Sequence, residues 1–160
     1  MSYNYLVPTE AEISAMLGML YGDGLRVDRS EKSIDNPASA IYASYIDENG
    51  RIVAAAQCDL QFAAYSAAAL SMIPVDVAQE AVRDKALTTM MRDNLHELMN
   101  ICSRFLMSDE TPHLRFDKVY PSLSDSPNGM RYLLDNAQAI RHFDALIPKY
   151  GKGKLSFIAS

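Results

Sequence analysis

Residues 87–105, LTTMMRDNLHELMNICSRF, decide how this chain is read. Leu87, Met91, Leu95, Leu98, Cys102 and Phe105 recur at spacings of four, four, three, four and three. That is the period of one helix face, and a continuous apolar stripe of this kind belongs to a long helix laid across a sheet. With about 100° between successive residues, Asp93, Glu97, Asn100 and Arg104 collect on nearly the opposite side. Asp93 and Glu97 are like charges one turn apart, which disfavours a helix by about 0.2–0.5 kcal/mol. Asn100 is a middling helix former in a helix interior. The row is therefore either a solvated face or a site.

Working outward, Asp76 caps this helix after the break at Pro74, and the pattern runs to about Met107. A shorter helix precedes it, capped by Asp59 and ending near Ile73. Its alanine-rich run, residues 62–73, is the most apolar in the chain and falls short of the ~18 residues that a membrane span requires. Upstream, runs 40–46 and 51–58 read as strands. They flank Glu48-Asn49-Gly50, and Asn-Gly there signals a hairpin. Thr9-Glu10-Ala11-Glu12 is a capping box. The helix it opens carries Ile13, Met16, Leu17, Leu20 and Tyr21 on one face and stops at Gly22-Asp23-Gly24. A polar loop follows over residues 30–37.

Downstream, residues 113–120 read as a strand ending at Pro121. A Ser/Pro/Gly loop and a short helix capped by Ser126, with Pro127 at its first position, come next. Runs 140–147 and 155–159 then bracket Tyr150-Gly151-Lys152-Gly153 as a terminal hairpin. Strands joined mainly by hairpins, with helices between them, imply an α+β fold: a mostly antiparallel sheet with long helices packed on it. Residues 1–160 read as one domain.

Composition narrows the function classes. The chain is 49% hydrophobic and 22% charged, as in an ordinary globular protein. Its net charge of −5 argues against nucleic acid, whose binders offset phosphate charge with a basic patch. The only basic cluster, residues 149–154, is glycine-broken and reads as a turn. Two cysteines without ligand spacing, and no leader at the start, point to a cytoplasmic setting without a membrane span. His96-Glu97 opens like the zinc pattern H-E-x-x-H, but Asn100 stands where the second histidine would be, and amides are poor zinc ligands. Cys58 and Cys102 fall on apolar faces, which suits packing and not nucleophilic chemistry. Gly22-Asp23-Gly24 ends a helix where a phosphate loop would begin one.

Asp93-x3-Glu97-x2-Asn100, followed at a distance by Pro121, resembles the signature of the CheC/CheX/FliY chemotaxis phosphatases. The single copy is most like CheX. The resemblance implies a CheX-like fold and hydrolysis of the aspartyl phosphate on a response-regulator receiver domain in chemotaxis or two-component signalling. It also implies the roles: Glu97 accepts a salt bridge from a receiver lysine, Asn100 orients the attacking water, and Asp93 and Arg104 belong to the docking surface. The chain would need no cofactor of its own, Mg²⁺ being expected on the partner receiver, and would form a homodimer. The family places small residues after the asparagine, whereas this chain has Ile101-Cys102-Ser103-Arg104. Arg104 stands within reach of Glu97 and Asn100, so those side chains are either free or pinned. Two other readings stay open: a non-catalytic CheX-like adaptor in signalling, and an unrelated α+β binding domain.

Overall fold

The computed structural model describes residues 5–160. Its sheet has six strands: β1 (Arg26–Ser30), β2 (Ile41–Ile46), β3 (Ile52–Cys58), β4 (Arg115–Tyr120), β5 (Ala139–Ile147) and β6 (Gly151–Ala159). They lie in the order β1-β5-β6-β3-β2-β4, and every pairing is antiparallel. Helices α1 (Glu10–Tyr21), α2 (Leu60–Leu70), α3 (Val75–Asp84) and α4 (Thr89–Cys102) share one apolar core with the sheet, and α5 (Asn128–Asp135) belongs to a separate one. This is the α+β arrangement that the sequence implies. Alternate residues along the strands separate the two cores: Ala54 and Ala56 join Phe62, Leu95 and Phe157, while Ala55 joins Met130, Leu133 and Ile158.

The local signals formed as their chemistry dictates at most positions. Thr9 and Glu12 complete their reciprocal capping box at 3.1 Å in each direction, and Gly22 ends α1 at φ 78°. Asp59 accepts from the Phe62 amide at 2.8 Å and so caps α2. At the first hairpin only Gly50 takes a positive φ, 79°. The turn is wider than an Asn-Gly two-residue turn, because the Asp47 carboxylate accepts from the amides of both Asn49 and Arg51.

Four expectations are corrected. The single helix expected from Asp76 to Met107 is two helices. Lys85, at φ 55°, closes α3 in a left-handed cap, its amide donating to the Val82 carbonyl while the Ala86 amide donates to that of Ala81. Thr88 then opens α4 by accepting from the Met91 amide at 3.2 Å. Leu87 therefore lies between helices, and Phe105 in the 3-10 turn Ser103–Phe105 that follows α4. The last hairpin turns earlier than expected, at Pro148–Tyr150, so Gly151 and Gly153 belong to β6. A Cβ on Gly153 would stand 2.4 Å from the backbone of Phe62, so this glycine lets α2 lie directly on the strand. Pro127, not Ser126, occupies the cap of α5, and the Ser126 hydroxyl donates to the Leu123 carbonyl instead. Finally, β1 was expected nowhere. It buries only Val27 and is held at the sheet edge by its pairing with β5.

Candidate functional site

Helix α4 presents the row. Met91, Leu95, Leu98, Met99 and Cys102 are buried, and Asp93, Glu97 and Asn100 are exposed on the far side. Two neighbouring elements hold the helix. On the α2 side, Asn94 Nδ2 donates to the Ala67 carbonyl at 2.9 Å and to Ser71 Oγ at 2.7 Å. On the β4 side, the exposed His96 meets the Phe116 ring edge-on, with centroids 5.7 Å apart. Phe116 in turn packs against Tyr45 of β2 at 5.9 Å.

Arg104 lies past the end of α4, in the Ser103–Phe105 3-10 turn. It remains exposed and forms no ion pair with Glu97 among the described residues. The side chains of Glu97 and Asn100 likewise make no hydrogen bond there. The structure thus brings Asp93, Glu97 and Asn100 onto one exposed helix face, their side-chain polar atoms without hydrogen bonds among the described residues. Glu97 can accept a cation, and the Asn100 amide offers one acceptor and one two-proton donor.

Pro121 follows β4 and is exposed. It lines a cleft of about 1220 Å³ together with Arg92, in the first turn of α4, and Asp59, Asp144, Lys152 and Lys154. Asn100 is two helical turns further along. Within the cleft Lys154 Nζ meets Asp144 at 3.2 Å. Burial raises the Asp59 carboxyl above its ordinary value, against hydrogen bonds from the Phe62 and Lys154 amides.

The cysteines are packing residues. Both are free and buried, and burial pushes the Cys102 thiol up to about 12 and the Cys58 thiol higher. Among the described residues no cluster of His, Cys, Asp and Glu could hold a metal ion, and no helix is long and apolar enough to cross a membrane. Sequence reasoning missed Asn94, Phe116 and Tyr45 as supports of the row. Their signal is tertiary, since each acts on an element distant in sequence.

No family model and no curated protein matches the sequence. Solved structures do resemble it. A chain of the FliM–SpeE complex from H. pylori aligns over 94% of this chain and 80% of that one, with 8% identity and a TM-score of 0.51. The FliM middle domain from H. pylori aligns over 94% and 84%, again with 8% identity, at 0.50. A chain of the CheX–CheY–BeF3–Mg complex from Borrelia burgdorferi aligns over 91% and 90%, with 15% identity and a TM-score of 0.38. The FliM pair carries the fold assignment. The chain therefore has the CheC-like fold of the FliM middle domain, the kind of fold that the motif on α4 leads one to expect.

Proposed function

We propose that this chain hydrolyses the aspartyl phosphate of a phosphorylated receiver domain in chemotaxis or two-component signalling. The observation supporting this reading is the free presentation of Glu97 and Asn100 on one face of α4. Glu97 accepts a salt bridge from a receiver lysine and fixes the docking register, with Asp93 one turn before it and Arg104 at the rim. The Asn100 side-chain oxygen accepts a hydrogen bond from a water and so turns the water's lone pair toward phosphorus, in line with the bond to the aspartyl oxygen. Phosphoryl transfer depends on positioning and charge neutralisation more than on covalent chemistry, so an amide that aims a water is sufficient. Mg²⁺ belongs to the receiver, and the chain contributes no cofactor. A homodimer is part of the same reading and is checked by sedimentation.

A second reading, a non-catalytic signalling adaptor, is favoured by one observation: a chain with this fold occurs in the FliM–SpeE complex. Phosphate release from a panel of Mg²⁺-bound, phosphorylated receivers separates the two. Acceleration that disappears in Asn100→Ala, and that Glu97→Ala weakens through a raised KM, supports the phosphatase. Binding to a receiver without acceleration of any of them supports the adaptor.

A further inference from the structure

Asn100 sits in the last turn of α4, where helices fray and an exposed side chain usually samples several directions. Here both carbonyls flanking its Cα are engaged. The preceding one, of Met99, accepts the Tyr45 hydroxyl at 2.6 Å from inside the core. The Asn100 carbonyl itself accepts the Ser103 hydroxyl at 2.7 Å and also the Ser103 amide, from the outer side.

Tyr45 follows the alternation of β2, and with Ile41 and Ala43 it faces the core that α4 shares. The sheet is irregular beside it on the neighbouring strands, where Val53 of β3 and Asp117 of β4 have no partner in β2. Tyr45 is fully buried, and a phenylalanine would fill its core position without a polar atom to satisfy. The hydroxyl therefore answers to the Met99 carbonyl. Burial raises its pKa well above the ordinary tyrosine value, so it stays a donor at any working pH. The same ring supports Phe116, and Phe116 supports His96, one turn before Asn100.

We propose that Tyr45 and Ser103 are positioning residues for Asn100, clamping the peptide on either side of it so that its amide is presented in one direction. The proposal rests on the reading of Asn100 as the water-aiming group and adds to it the device that holds the aim. Neither residue touches the phosphoryl group. Both act through the backbone of Asn100.

The test uses Tyr45→Phe, Ser103→Ala and the double variant of the full chain, with two independent readouts. NMR relaxation of the Asn100 side-chain amide and hydrogen exchange of the Ser103 amide report the clamp itself. The expected result is a looser Asn100 and faster exchange at Ser103, with the Met91 and Leu95 amides unchanged. The second readout is phosphate release from a receiver that the wild type dephosphorylates. The expected result there is a kcat lowered by about ten- to a hundredfold with KM nearly unchanged. Unchanged order at Asn100 in all three variants overturns the proposal, as does equal kcat in wild type and double variant. If the wild type shows no turnover on any receiver, the phosphatase reading falls, and the order of Asn100 alone decides whether the clamp exists. Should Tyr45→Phe loosen all of α4 at once, Ser103→Ala decides: it lies outside the core and must still loosen Asn100 for the proposal to stand.

Discussion

Asn94 of α4 donates to Ser71 Oγ at the end of α2, 2.7 Å away, and the second proton of the same amide reaches the Ala67 carbonyl. The Ser71 amide turns back to the carbonyls of Ala68 and Ala69, so Asn94 takes up an acceptor at the helix end where carbonyls lack intrahelical donors. The residue is thus a joint between two helices, although by type and neighbourhood it looks like one more member of the polar row. Asn94→Ala leaves Asp93, Glu97 and Asn100 in place and removes that joint. We expect a loss of about 1–2 kcal/mol, seen as a lower melting temperature, with receiver binding retained at temperatures where the variant is folded. An unchanged melting temperature would show that water replaces the amide at no cost.

Gly153 tests the contact between α2 and β6. Its missing Cβ leaves room for the Phe62 backbone, which would otherwise stand 2.4 Å away. Backbone cannot swing aside as a side chain can, so Gly153→Ala must separate helix from strand. The expected loss is about 3 kcal/mol or more, measured by chemical denaturation. Gly50→Ala is a useful contrast. Nothing lies near its Cβ position, and only the positive φ of 79° is strained. It should lose about 1–2 kcal/mol.

These two glycines show how much of the fold was legible and where legibility stopped. Gly50, between two β-like runs, announced its turn because turn chemistry is local. Gly153 looked like turn chemistry as well, beside Gly151 and three lysines, yet its cause is a helix about ninety residues earlier in the chain. The split between α3 and α4 was hidden for a similar reason: Lys85 holds a left-handed cap that glycine usually marks. Of the candidate site, the row itself was legible, because helical period alone separates Asp93, Glu97 and Asn100 from Leu95, Leu98 and Met99. Arg104 falls in a 3-10 turn past the end of α4, and nothing in its type reveals where an α-helix tightens into such a turn. The contacts of Tyr45 and Phe116 with α4 are properties of the assembled sheet.

Lys85 supplies a stabilising substitution. A left-handed conformation costs a residue with a Cβ roughly 1–2 kcal/mol, and glycine avoids that while losing roughly 0.5–1 kcal/mol more chain entropy on folding. Lys85 is exposed and forms no ion pair among the described residues. Lys85→Gly should therefore raise stability by about 0.5–1 kcal/mol, a shift of roughly 1–4 °C in melting temperature for a chain of this size. Lys85→Ala, which keeps the strain, should not. If both variants melt with the wild type, the cap carries no strain.

Asp59 makes the last prediction, one about pH. Its carboxylate accepts from the Phe62 amide at 2.8 Å and the Lys154 amide at 3.1 Å, tying the start of α2 to β6. Burial nevertheless raises its pKa above the ordinary value, outweighing both hydrogen bonds and the nearby Lys154 charge. The folded chain therefore holds the Asp59 proton more tightly than the unfolded chain does. Its contribution favours folding most fully below the unfolded pKa of about 3.9 and is lost as pH rises through the higher folded value. Asn keeps an acceptor oxygen for the cap and carries no charge. Asp59→Asn should match or exceed the melting temperature of the wild type at pH 7, and its advantage should shrink as pH falls toward 4. Asp59→Ala should lose about 1 kcal/mol near pH 4, because the cap itself is gone, and less at pH 7, where the wild type carries the buried charge. Thermal melts of the three chains between pH 4 and 7 separate the charge from the cap. A difference between Asp and Asn that stays constant with pH would mean that burial of this carboxylate carries no electrostatic penalty.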